Sequence, residues 1–99
     1  MNFDEYQHEA MRTHVEEPIR LTAYALGLAG EAGEVADLIK KYIGHGHDLD
    51  LNKLKLELGD CLWYVAGLAH VLGLNLSEIA EANISKLKNK NLKIVKNVV

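Results

Sequence analysis

The chain has 99 residues, 48% hydrophobic and 25% charged, with a formal net charge of −3. That is the make-up of an ordinary globular domain; it excludes a disordered chain and a collagen, and no apolar run approaches the roughly 18 residues a membrane-spanning helix needs. The lone Cys61 excludes an internal disulfide and a zinc–cysteine cluster. The acidic, polar start MNFDEYQHEA does not read as a secretory signal, so the expected setting is reducing and cytoplasmic.

Residues 3–14 read as a short helix with Phe3, Tyr6, Ala10 and Met11 on one side. His14-Val15-Glu16-Glu17-Pro18 breaks it, because a proline disfavours a helical residue before it and opens the helix that follows. From about Ile19 to Ile43 the apolar positions Leu21, Tyr24, Leu28, Val35, Leu38, Ile39 and Tyr42 keep helical spacing. Gly44 to Asp48 reads as a loop, with Gly44 as the C′ residue that ends the helix. Asp50 is the expected N-cap of a third helix reaching about Leu72. Gly73 to Leu76 turns the chain, and Ser77 is the expected cap of a fourth helix to about Lys88. Residues 91–99 fit a frayed helix end, an extended arm or a partner contact. Four helices with short joins predict an all-α antiparallel four-helix bundle. A domain this short buries only roughly 65% of its unfolded surface, which predicts assembly with a second subunit.

Charge is divided along the chain. Residues 1–82 hold all fourteen acids beside six bases, a net of −8, whereas residues 83–99 carry five lysines and no acid. A basic end of this kind reads either as a phosphate or nucleic-acid contact or as lysines suited to the negative end of a helix dipole, and the second reading is the expected one. Gly27, Gly30, Gly33, Gly59 and Gly67 sit inside the two long helices. Each costs about 1 kcal/mol against alanine. Close helix packing, or room for a ligand against the backbone, has to offset that cost.

The acids are more informative. Glu31 and Glu34 on the second helix, and Glu57 and Asp60 on the third, each stand three residues apart and share a helix face. The seam Tyr24, Leu28, Glu31, Val35, Leu38, Tyr42 reserves an apolar slot that Glu31 fills; the seam Leu54, Glu57, Cys61, Tyr64, Leu68 does the same with Glu57. Inward carboxylates repel one another and cost several kcal/mol unless they hold protons or share a cation. An oxygen-only set suits Mg²⁺ or Mn²⁺. Surface ion pairing explains Asp37, which has Lys41 at i+4, but not these four, whose helical neighbours are mostly apolar or small.

Gly30-Glu31-Ala32-Gly33-Glu34-Val35-Ala36-Asp37, followed after 22 intervening residues from Val35 to Leu56 by Glu57-Leu58-Gly59-Asp60-Cys61-Leu62-Trp63-Tyr64, resembles the E-x-x-E…E-x-x-D signature of the MazG-type all-α nucleoside triphosphate pyrophosphohydrolases. Ala82-Asn83-Ile84-Ser85-Lys86-Leu87-Lys88 is similar to the family's fourth helix. The resemblance implies one MazG-like helical domain over 1–99, with 91–99 a flexible or oligomer-contacting tail. It implies cleavage of a nucleoside triphosphate between the α and β phosphates, releasing monophosphate and pyrophosphate, possible service in clearing the nucleotide pool, and a homodimer or homotetramer. Glu31, Glu34, Glu57 and Asp60 would be the Mg²⁺ ligands, Mn²⁺ being the substitute, with one of them able to serve instead as the base for water. Lys40, Lys41, Asn83 and Lys86 would hold the departing pyrophosphate. Where the family carries an Arg and a Tyr-Pro turn, this chain has Lys90 and then Asn91-Leu92-Lys93.

For the base, Tyr6, His8 and Trp63 are the candidates, with Phe3, Tyr24, Tyr64 and Gln7 as further residues able to stack on it or read its edge. Glu5-Tyr6-Gln7-His8 matches half of a di-iron motif, but no second Glu-x-x-His pair exists. The His45-Gly46-His47-Asp48 stretch reads as a solvated loop. The rival to an enzyme is a catalytically silent helical interaction or regulatory module with a structural metal site. Nucleic acid and membrane are not the expected partners.

Overall fold

The structure, a computed structural model, describes residues 1–98, with side chains described through residue 89. Helix α1 spans Phe3–Ala10, continued by a 3₁₀ turn over Met11–Thr13; α2 spans Arg20–Gly44, α3 Leu51–Val71 and α4 Leu76–Val98. There is no strand among the described residues.

Local signals set most of the ends. Asn2 caps α1 through a full capping box: its side chain accepts from the Glu5 backbone N–H at 2.8 Å, and the Glu5 carboxylate accepts from the Asn2 N–H at 3.1 Å. Glu5 is thereby spent on the cap. Asp50 accepts from the Lys53 N–H at 3.1 Å and starts α3 as expected. Helix α3 stops in a Schellman motif. Gly73 has φ +72°, its N–H donates to the His70 carbonyl, and the Leu74 N–H donates to the Ala69 carbonyl. Gly44, expected just past the end of α2, is its last residue; the left-handed position is Gly46, with φ +68°.

Ser77 is not the cap of α4. The helix begins one residue earlier, and Glu78 accepts from the Asn75 N–H at 2.9 Å, which makes Asn75 the cap position. The free N–H groups of that helix start are met by α1. Gln7 Oε1 accepts from the Leu76 N–H at 2.8 Å, and Asp4 accepts from both the N–H and the hydroxyl of Ser77. The helix also runs past Lys88, to Val98. The expectation of a tail contact at 91–99 concerns side chains outside the described residues.

Helices α2 and α3 form an antiparallel hairpin whose register is fixed by two interlocked glycine–tyrosine pairs. A Cβ on Gly67 would come within 2.8 Å of the Tyr24 ring, and a Cβ on Gly27 would run into the Tyr64 ring. These two glycines are therefore packing residues. Gly30, Gly33 and Gly59 meet nothing within 4 Å. Trp63 donates from Nε1 to the Ala10 carbonyl and the Thr13 hydroxyl, fastening the end of α1 to α3. Helix α4 packs on α1 and α3 but not on α2 among the described residues, so one chain does not close a four-helix bundle by itself. Its buried apolar set among the described residues is correspondingly small: Tyr24, Ala66, Ala69 and Leu76. No described helix is long and apolar enough to cross a membrane.

Candidate metal centre

The hairpin register that sets Tyr24 over Gly67 brings Glu31 opposite Glu57 and Asp60 two helical turns further on. Carboxylate oxygens of Glu31, Glu57 and Asp60 all lie within 4.8 Å of one another. Every described member of the two seams other than Tyr24 and Tyr42 is half-buried: Leu28, Glu31, Val35 and Leu38 on α2, and Leu54, Glu57, Cys61, Tyr64 and Leu68 on α3. Glu31 and Glu57 thus do occupy apolar slots, while Asp60 is exposed at the rim.

Nothing basic is paired with this trio among the described ion pairs. The consequence is electrostatic. A side-chain hydrogen bond shared with Glu57, then partial burial, then the charges of Asp60, Glu57 and Glu34 raise the Glu31 carboxyl above its ordinary range. Three carboxylates so placed are relieved by a shared proton or by a cation. Their donor set is all oxygen, which fits a hard divalent ion and offers no nitrogen or sulfur to a softer one.

Glu34 lies one turn along α2 from Glu31, is exposed, and falls outside the trio, though its charge is felt there. Asp37 pairs with Lys41 at 2.9 Å, as the i+4 spacing predicted. That pair lowers the Asp37 carboxyl and raises the Lys41 ammonium. Lys40 is exposed on α2. Asn83 and Lys86 are exposed on α4, which does not touch α2, so packing within one chain does not bring them beside the α2 lysines.

The three base candidates line three different clefts. Tyr6 shares one with Met1, Asn2, Phe3 and Leu62. Burial first, and the nearby Asp60 carboxylate second, raise its phenol above the ordinary value. Trp63 lines a cleft with Arg20, Tyr24 and Tyr64, and its N–H is already engaged. His8 lines a cavity of about 430 Å³ with Asp4, Met11 and His70. Gln7 is excluded as a base reader, because its amide donates to the Leu74 carbonyl and accepts from the Leu76 N–H. A group that sequence spacing did not assemble is His14, Glu16 and His70, whose ligating atoms also lie within 4.8 Å of one another. Its members come from a loop and the far end of α3, so no local pattern announced it.

Comparison with known proteins identifies the family of the hairpin. The family described as the MazG nucleotide pyrophosphohydrolase domain matches residues 20–95, which include the whole α2–α3 hairpin. Gene 37 protein of Mycobacterium phage L5 is 38% identical over 74 residues, an overlap of 71% of this chain and 65% of the relative; the chain therefore spans just under two-thirds of that protein's length. No solved structure matches the chain.

Proposed function

This chain belongs to the MazG nucleotide pyrophosphohydrolase family, and on that premise we propose that it is a divalent-metal-dependent nucleoside triphosphate pyrophosphohydrolase. It cleaves between the α and β phosphates, releases pyrophosphate and serves in clearing the cytoplasmic nucleotide pool. The observation that carries this reading is the meeting of Glu31, Glu57 and Asp60 from two helices with no basic partner among the described ion pairs. Those three would hold Mg²⁺, or Mn²⁺ in its place. Glu34, one turn away, joins as a fourth ligand or takes the proton of the attacking water. When bound, the metal polarises the phosphorus centre and lowers the pKa of water. Phosphate oxygens would fill the positions the chain leaves open, because Mg²⁺ seldom takes an all-protein cage.

In the assembled form Lys40, Lys41, Asn83 and Lys86 hold the departing pyrophosphate. Of the base candidates, Tyr6 is supported by its closeness to Asp60, with His8 and Trp63 further off in separate clefts. The working form is a homodimer or homotetramer that completes the bundle. Three features support assembly. The chain exposes 7524 Å², about a third more than the roughly 5,600 Å² of a compact monomer of its mass. Its radius of gyration is 16.5 Å against about 12.6 Å for a compact domain of its length. Large apolar side chains such as Leu26, Ile43, Leu51 and Leu56 are left in water.

The test is release of pyrophosphate, rather than orthophosphate, from a panel of normal and modified nucleoside triphosphates with Mg²⁺. Release from at least one substrate, lost in Glu57→Gln, is the expected result. Release from none would leave the silent interaction module with a structural metal site.

A further inference from the structure

At the opposite end of the hairpin from the carboxylate trio, the connection between α1 and α2 crosses the last turn of α3. His14 and Glu16 come from that connection, and His70 from α3. We propose that His14, Glu16 and His70 form a second metal site, for a transition-metal cation of the zinc type, that staples the α1–α2 connection to α3. The proposal is independent of the hydrolase reading.

The hydrogen bonds of His14 hold both ring nitrogens in place. Arg20 approaches His14 Nε2 at 3.1 Å, and a guanidinium can only donate. In the tautomer that accepts from Arg20 at Nε2, Nδ1 carries the ring proton and donates to the Tyr24 hydroxyl at 2.7 Å. The His14 side chain is only 6% exposed. A metal-ligating imidazole needs this arrangement: the far N–H fixed by a partner and the near nitrogen open. That open nitrogen faces a Glu16 carboxylate oxygen at 2.9 Å. In that tautomer two acceptors face each other across a gap a cation can fill; in the other, Nε2–H donates to Glu16, and a metal would displace that proton. In the first tautomer Arg20 is that cation in the metal-free chain, donating both to His14 Nε2 and to Glu16.

His70 completes the group. Its ring centroid is 4.6 Å from that of His14, with the planes at 66°. Two imidazoles on one tetrahedral zinc, with Zn–N bonds of about 2.0 Å, set their centroids about 5 Å apart, so little movement is needed. Two imidazoles and a carboxylate are a zinc-type donor set, unlike the all-oxygen trio. Glu16 and His70 are exposed and free to adjust, and Arg20 in the first turn of α2 has an open path to solvent once a metal replaces it.

The probe is Co²⁺ added to the full chain with Mg²⁺ in excess to occupy the all-oxygen centre. The expected result is the intense visible absorption of four-coordinate Co²⁺, retained in Glu57→Gln. His70→Gln and Glu16→Gln change exposed side chains, leave the helical signal intact and weaken Co²⁺ binding by at least about tenfold. Arg20→Met removes the competing cation and tightens binding by about tenfold. Only the weak absorption of six-coordinate Co²⁺, or a strong band that survives His70→Gln, would overturn the proposal.

Discussion

The α2–α3 seam has two ends that share one register and one pair of helices, yet differ in how far the chain itself completes them. At the aromatic end, Tyr24 and Tyr64 lie over glycines, Tyr24 bonds His14, and Trp63 bonds α1, so each described buried polar atom has a partner within the chain. At the acidic end, the glycines Gly30, Gly33 and Gly59 face open space, and three carboxylates converge with no opposing cation among the described ion pairs. The first end satisfies its polar groups from within the chain, with Arg20 supplying the positive charge beside His14 and Glu16. The second is built to receive something that the polypeptide does not supply, because converging negative charge is unfavourable until it is neutralised.

That contrast is sharpened first at the acidic end. Glu57→Gln should lower pyrophosphate release by at least about 100-fold, the size of one lost charge-stabilising group, while circular dichroism shows the helices unchanged. Retained turnover would remove Glu57 from the site. Glycine substitutions then compare the two ends directly. Gly27→Ala should destabilise the protein by about 1–3 kcal/mol through overpacking against Tyr64, read by urea unfolding. Gly59→Ala, which meets nothing in the chain, should stabilise the dilute monomer by up to about 1 kcal/mol. A loss of stability at Gly59 that appears only at high protein concentration would instead place a second subunit on that face.

A subtler effect concerns pH. The Glu31 carboxyl is raised in the folded chain, so its protonated form is the favoured one there. Without metal, its contribution to stability is full below the ordinary carboxylate range and is lost as pH rises through the raised value. Glu31→Gln should flatten that fall in a metal-free thermal melt series. Mg²⁺ reverses the preference, so its stabilising effect should grow over the same rise in pH. The smallest expected effect is at Asp37→Ala, where loss of the exposed pair with Lys41 should barely move the urea midpoint and leave turnover within a few-fold.

Much of this was legible in the residues because the signals were local. Asp50 as a cap, Pro18 as a break and the Asp37–Lys41 pair each depend on neighbours within four positions. The meeting of Glu31 and Glu57 was legible too, since an acid in an apolar slot of each seam points both helices' charges to one interface, whereas Glu34, read as a fourth member, falls outside the trio. Ser77 misled because serine is a common cap, whereas its hydroxyl is held by Asp4 from the other end of the sequence. The Asn75–Glu78 spacing was the better local sign. The glycines were read as one group, but only the helix register separates Gly27 and Gly67, which touch tyrosines, from the three that touch nothing. His14 and His70 showed no pattern at all, because their meeting is set by the path of the loop after α1.

The most direct measurement of the central claim is a titration with Mn²⁺ followed by the electron paramagnetic resonance of the free ion. The wild-type chain should deplete the free signal with saturable affinity, Mg²⁺ should compete it back, and Glu57→Gln should leave the signal as in buffer. Depletion of equal strength in Glu57→Gln, or none in the wild type, would contradict a cation centre built from Glu31, Glu57 and Asp60.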